Sequence, residues 1–170
     1  PEPATLKLRD QIRADGDRVS LGPVQRDNLP AFLTTLVGRQ REMGEIKARL
    51  EQPDCRMLTV LGPGGSGKTR LALEVARSCL SSFPQGVFLV ALNPIQTTAS
   101  IPPAVAEALG APLSEGGDYR TQLANFLRNR ELLLVLDGCE HLLAGANDLV
   151  ELLRWAPGLK ILATSRVRLN

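Results

Sequence analysis

Leu58-Thr59-Val60-Leu61-Gly62-Pro63-Gly64-Gly65-Ser66-Gly67-Lys68-Thr69 is the stretch whose reading decides the fold. Gly62, Gly67, Lys68 and Thr69 occupy every fixed position of G-x-x-x-x-G-K-[ST], a loop that holds polyphosphate between a strand and a helix. The flanks agree: the apolar run Met57 to Leu61 reads as a strand, and Arg70 to Leu80 keeps helical spacing. The chemistry explains the composition. A polyphosphate is strongly anionic and must be met at close range by inward-pointing N–H groups. Gly62, Gly64, Gly65 and Gly67 carry no Cβ to hold the backbone away or to forbid positive φ. Further backbone donors come from Ser66 and the rest of the loop to Thr69. The helix start behind them adds unpaired N–H groups and a positive dipole end. In this pattern Lys68 reaches the β/γ-phosphates and the Thr69 hydroxyl holds Mg²⁺.

Working outward, strands alternate with helices. Gln40 to Glu51 reads as a helix, with Met43, Ile46 and Leu50 at helical spacing. Val87 to Leu92 reads as a second strand after the turn Pro84-Gln85-Gly86. Pro102 and Pro103 open a helix that stops at Gly110, and a further helix runs from about Tyr119 to Asn129. Leu132 to Leu136 is continuously apolar, as in a strand buried on both faces. A helix over about Glu140 to Trp155 and a last strand over Leu159 to Ala163 complete the chain. The alternation predicts an α/β fold of three layers, a mostly parallel sheet between helices. Residues 1 to 35, broken by Gly16, Gly22, Pro23 and Pro30, read as a linker or the tail of a preceding domain, with at most a short helix near Leu6 to Ile12 and a short strand at Val19 to Leu21. Residues 36 to 170 read as the phosphate-binding domain.

Composition narrows the partners. The chain has 170 residues, 44% hydrophobic and 22% charged, enough for one real core. A net charge of +2 with scattered arginines gives no electrostatic case for direct nucleic-acid binding. Aromatic residues are 4%, with no aromatic–basic interleaving for base stacking. Cys55, Cys79 and Cys139 form no C-x-x-C pair, and His141 is the single histidine, which argues against zinc. No apolar run is long enough to span a bilayer and no secretory leader is present, so the reading is a cytoplasmic protein of the reducing compartment.

Three further features surround the loop. The apolar run Leu132 to Leu136 ends in Asp137, and an acid at that strand end lies beside the phosphate loop in this sheet type, where it can hold Mg²⁺ and accept from Thr69. Taken alone, the same pattern fits an aspartate that caps the next helix. The last strand leads into Ala163-Thr164-Ser165-Arg166, and an arginine at that edge can face a terminal phosphate. Upstream, Leu36-Val37-Gly38-Arg39 with Glu42 forms a glycine-containing turn before a helix, whose role chemistry alone does not assign.

Together these residues resemble the STAND class of signalling NTPases. They look like the NB-ARC domains of apoptotic and plant-resistance proteins, and most of all the ATPase modules of large bacterial transcriptional regulators. The resemblance covers about residues 28 to 170. It rests on Asn28-Leu29-Pro30, Val37-Gly38-Arg39 with Glu42, the loop Gly62 to Thr69, Phe83-Pro84 with Gly86, Leu132 to Asp137 with Glu140-His141, and Thr164-Ser165-Arg166. It implies a P-loop NTPase sheet of order 5-1-4-3-2, with ATP or ADP and Mg²⁺ bound. In that family Val37 and Arg39 would line the adenine side. Gly65, Gly67, Lys68 and Thr69 would hold phosphates and metal with Arg70 beside them, Asp137 would be the Mg²⁺ acid, and Arg166 would sense the γ-phosphate. The family acts as a switch, through different nucleotide affinities of two conformations.

The chain departs from the pattern in two places. Many relatives carry a second acid directly after the first, where Gly138 stands here. Glu140 is the nearest carboxylate and also fits a helix-start acid. The chain also stops before the family's fifth strand and its closing domains, which leaves strand one as an edge open to another chain or to the N-terminal segment. Three readings stand at this point. One is a nucleotide switch with little hydrolysis of its own. Another is an active AAA-like ATPase with Lys68, Asp137, Glu140 and Arg166 as its catalytic set. The last is a nucleotide-independent interaction module. Protein partners or self-assembly would come through the parent protein.

Overall fold

The computed structural model describes residues 26–168 except 115 and 141–145. The expectations for residues 1–25, and for His141, Leu142 and Leu143, therefore lie outside the described residues. In chain order come α1 (Gln40–Glu51), β1 (Met57–Leu61), α2 (Lys68–Ser78), β2 (Val87–Ala91), α3 (Ile101–Leu109), α4 (Tyr119–Leu127), β3 (Leu132–Asp137), α5 (Ala146–Trp155) and β4 (Leu159–Ser165). Single 3-10 turns occupy Leu80–Ser82 and Thr98–Ser100.

The sheet has the order β1-β4-β3-β2, and every pairing is parallel. This is the anticipated arrangement, with no fifth strand among the described residues. Parallel neighbours need crossover connections, so helices cover both faces. β3 shows the consequence for sequence. Its alternate residues point to opposite faces. Leu132, Leu134 and Leu136 enter a core with Val105, Leu123, Leu127 and Leu149 of α3, α4 and α5. Leu133 and Val135 enter a second core with Leu71, Val75 and Ala76 of α2 and Leu50 of α1. Both sets are fully buried, at about 1.5–3 kcal/mol for each large aliphatic side chain, and this is why the strand reads as an unbroken apolar run.

Helix ends follow local chemistry. Gly110 stops α3 at φ 62, and the Asp118 carboxylate caps α4 by accepting from the N–H groups of Arg120 and Thr121. Two basic side chains close carbonyl ends from across the fold. Arg56 donates to the carbonyls of Leu153 and Ala156 at the end of α5 and of Leu159 at the start of β4, and Lys160 Nζ donates to those of Leu50 and Gln52 at the end of α1.

Several boundaries differ from the sequence reading. β4 runs two residues beyond Ala163, because Thr164 and Ser165 still pair with Val60 and Leu61 of β1. α2 begins at Lys68, since Lys68 and Thr69 form its first turn. α4 ends at Leu127, and Leu92 lies just past β2.

Residues 26–36 clip onto the edge of the sheet opposite β1, at β2; the part of the N-terminal segment before residue 26 lies outside the described residues. The Val87 N–H donates to the Arg26 carbonyl at 2.8 Å. The Asn28 side chain imitates a peptide group there: Nδ2 donates to Leu89 O at 2.9 Å, and Oδ1 accepts from Leu89 N at 2.6 Å. Gly86 makes room at φ +104, where a Cβ would fall 2.2 Å from the Arg26 carbonyl oxygen. Leu29, Phe32 and Leu36 then pack onto the α1–α2 core. Arg77 donates to the Pro30 carbonyl and Arg70 to the Thr34 carbonyl. This strap leads across α2 to α1.

Candidate functional site

The carboxyl ends of β1, β4 and β3 converge on the start of α2, the place where open parallel sheets bind ligands. The loop between β1 and α2 takes its shape from glycine. Gly65 and Gly67 hold φ of 73 and 77, and Gly67 precedes α2 without a side-chain cap, leaving the first helical N–H groups for a ligand. Gly62 N–H donates to the Ser165 carbonyl at 3.3 Å, which ties the loop to the end of β4. Lys68 Nζ donates to the Pro63 carbonyl at 2.8 Å.

One carboxylate oxygen organises the centre. Asp137 Oδ1 accepts from Thr69 Oγ1 at 2.6 Å and from Thr164 Oγ1 at 2.5 Å. Thr164, buried at 2% exposure, in turn accepts from the Gly138 N–H at 3.1 Å. Arg166 Nε lies 3.1 Å from Glu140 Oε1, and its guanidinium carbon is 3.7 Å from where a Cβ on Gly64 would stand. Behind this layer, burial first and then the charges of Glu140 and Asp137 push the Cys139 thiol up to about 12.

These groups border an open cleft of about 500 Å³. Of the expected site residues, Gly64, Gly65, Gly67, Lys68, Thr69, Arg70, Asp137, Glu140 and Arg166 border it. Gly62 and Ser66 lie on the loop's other side, beside the β1 edge. Arg39 is also there, donating to the Ser66 carbonyl at 2.8 Å. Val37 stands 81% exposed, outside the cleft. Arg70 borders the cleft but its guanidinium is engaged elsewhere: Nε meets Glu74 Oε1 at 3.1 Å, the head contacts Thr34, and the Phe32 ring lies 3.9 Å away.

The sequence reading did not single out Phe32, Leu73 or Asn93, which also border the cleft. Asn93 had a usable signal, a polar residue just past a strand that ends level with Asp137, since Ala91 and Asp137 are in register. Phe32 had none, because its place depends on the path of the strap.

The donor set suits a polyphosphate with a hard divalent cation. A hydroxyl and a carboxylate oxygen meet at 2.6 Å, two cationic side chains stand over glycine backbone, and the Ser66 hydroxyl is buried within the loop with no partner among the described residues. Thr69 and Asp137 are the residues that would hold the cation. A separate cavity of about 370 Å³ lies between α3, α4 and α5, away from the loop. Among the described residues no helix is long and apolar enough to cross a membrane.

Residues 35–159 match the family model of the AAA ATPase domain. A protein of Mycobacterium tuberculosis described as an HTH-type transcriptional regulator is 45% identical over 112 residues, 65% of this chain and 12% of that protein. The regulatory protein AfsR of Streptomyces griseus is 31% identical over 192 aligned residues, 99% of this chain and 19% of AfsR. The chain thus spans less than a fifth of either relative's length. Among solved structures, the Aeropyrum pernix ORC2 protein, determined as ADPNP–ADP complexes, superposes with a TM-score of 0.65 at 18% identity, over 77% of this chain and 42% of that one. Cdc6p from Pyrobaculum aerophilum gives 0.62 at 17% identity, over 81% and 41%. At these identities the two structures speak for the fold alone.

Proposed function

The chain belongs to the AAA ATPase domain family, and on that premise we propose that it is an ATP/ADP-binding switch domain of the STAND type within a larger transcription-regulatory protein of the cytoplasm. The observation that carries this reading is the shared Asp137 oxygen, which joins Thr69 at the phosphate loop to Thr164 at the end of β4. A cation or phosphate drawn to Thr69 is thereby felt at the end of β4, the strand that leads into Arg166.

Each residue has a part. Backbone N–H groups from Gly64 to Thr69 hold the phosphates, and Lys68 neutralises their charge. Thr69 and Asp137 hold Mg²⁺, which supplies charge neutralisation at the β- and γ-oxygens. Arg166 reads the terminal phosphate. Val37 and Arg39 border the adenine side, with Arg39 fixing the loop through the Ser66 carbonyl. Arg70 holds the strap rather than a phosphate. Slow hydrolysis or none is expected, because Gly138 offers no carboxylate next to Asp137 and Glu140 is paired with Arg166.

The test is thermal unfolding of the protein with ATP or ADP, with and without Mg²⁺, beside Lys68→Ala. A ligand bound only to the folded state at one hundred times its Kd adds about 2.7 kcal/mol. Saturable stabilisation that Lys68→Ala abolishes supports the reading, and no stabilisation by either nucleotide sinks it in favour of an interaction module. A second reading, an active ATPase, draws on Glu140, which is 13% exposed beside the cleft. Under that reading Glu140→Gln abolishes turnover and spares binding.

A further inference from the structure

Gly138 and Asn93 share one space. A Cβ built on Gly138 would fall 2.2 Å from Asn93 Oδ1, 2.5 Å from its Cγ and 2.6 Å from its Nδ2. Gly138 also sits at φ +84, a backbone conformation that side chains rarely adopt. The carboxamide of Asn93 therefore fills the volume that a side chain after Asp137 would take. It arrives from the neighbouring strand, two residues past the end of β2.

The charges around it are already committed. Asp137 Oδ1 receives two hydroxyls, and Glu140 faces Arg166. Among the described residues the Asn93 side chain makes no hydrogen bond, although it borders the same cleft as Thr69 and Arg166. A carboxylate in its place would repel a terminal phosphate. A carboxamide carries two N–H donors and no charge, so its Nδ2 can donate to an anionic oxygen.

We infer that Asn93 is a specificity-determining residue that favours a nucleoside triphosphate over a diphosphate, by donating from Nδ2 to the terminal phosphate in the space vacated at Gly138. This rests on the nucleotide-binding reading above. The α- and β-phosphates belong to the Gly64-to-Thr69 loop. Asn93 lies on the far side of Asp137 from that loop's strand, at the end of the sheet opposite β1. It meets what extends past the loop.

The experiment is calorimetric titration of the whole chain with ADP and with the imido analogue of ATP, both with Mg²⁺. Asn93→Ala is expected to weaken the triphosphate analogue roughly ten-fold and to leave ADP within about two-fold, the scale of one hydrogen bond to a charged group. Asn93→Asp, of equal size, places a carboxylate there and is expected to weaken the analogue further. Asn93 is exposed and packs into neither core, so both variants should fold. An unchanged triphosphate-to-diphosphate ratio in the two variants, with both ligands still bound, overturns the inference and leaves the nucleotide reading standing. Failure of the unsubstituted protein to bind either ligand overturns the nucleotide reading, and this inference with it.

Discussion

Arg166 and Glu140 form an ion pair, Nε to Oε1, at 3.1 Å, with the arginine 64% exposed and the glutamate 13%. The pair sets the arginine between two negative partners, the carboxylate and any phosphate bound at the Gly64 side of the cleft. Glu140→Gln removes the protein's own competitor. Triphosphate affinity is expected to rise about three- to ten-fold, with ADP little changed, as read by calorimetry; the pair is half in water, so a larger gain is not expected. An unchanged triphosphate Kd would show that Arg166 does not trade partners.

Thr164 links β4 to β3 through two hydrogen bonds in a buried place, one given to Asp137 and one taken from the Gly138 N–H. Thr164→Val keeps the shape, leaves the buried Gly138 N–H without its acceptor, and leaves Asp137 Oδ1 with the Thr69 hydroxyl alone. The expected cost is about 1–3 kcal/mol in urea-induced unfolding. The same variant should loosen Mg²⁺-dependent nucleotide binding, because Asp137 loses one of the two groups that orient it.

Asn28 holds the strap by two hydrogen bonds to the Leu89 backbone. With Asn28→Ala, exchange of the Leu89 amide hydrogen should accelerate by about ten-fold or more, the effect of roughly 1.4 kcal/mol of lost local stability. Amides in the middle of β3, paired on both sides, should keep their protection. Uniform acceleration across the sheet would mean that the strap is needed for global stability.

The cysteines differ in reach. Cys139 and Cys79 are buried, and Cys55 is partly exposed. Burial raises both buried thiols, Cys139 to about 12. In the unfolded chain Cys139 would release its proton near its ordinary 9.0. Above that pH the unfolded state binds fewer protons than the native one, so stability falls as pH rises from about 9 toward 12 and is fully present below. Cys139→Ser should flatten that alkaline slope in unfolding measured at several pH values. Iodoacetamide at pH 8 should label Cys55 while the protein is folded, and Cys79 and Cys139 only once it unfolds.

The fold was legible where periodicity and burial coincide. β1 and α1 end where their apolar spacing ends, and β3 announced its two-sided burial as five consecutive aliphatic residues. The end of β4 was not legible. Thr164 and Ser165 are polar yet buried, because the Thr164 hydroxyl serves the site, the Ser165 hydroxyl accepts from the Val167 N–H, and both residues pair with β1. The strap was illegible for a different reason. Asn28 replaces peptide hydrogen bonds with side-chain ones, and no local pattern signals that substitution. In the cleft, the residues of the phosphate loop share one short motif, so sequence brings them to notice together. Asn93 and Phe32 enter through strand register and the course of the strap, which are tertiary facts, whereas Thr164 was marked in the sequence with Arg166 but not for its bond to Asp137. The engagement of Arg70 with Thr34 and Phe32 likewise needs the strap's path to be known.

The last strand among the described residues lies inside the sheet. β4 stands between β1 and β3, and among the described residues it is the only strand that β1 pairs with, Met57 facing Ile161. While the ribosome is still making α5, β1 has no partner strand among the described residues, and the Gly62 amide lacks its Ser165 acceptor. Long-range parallel pairing of this kind is slow to form. The phosphate loop sits early in the chain, but its anchoring must wait for residue 165. A chain translated only as far as α5 therefore carries the whole loop motif without the bond from Gly62 to Ser165 that anchors it.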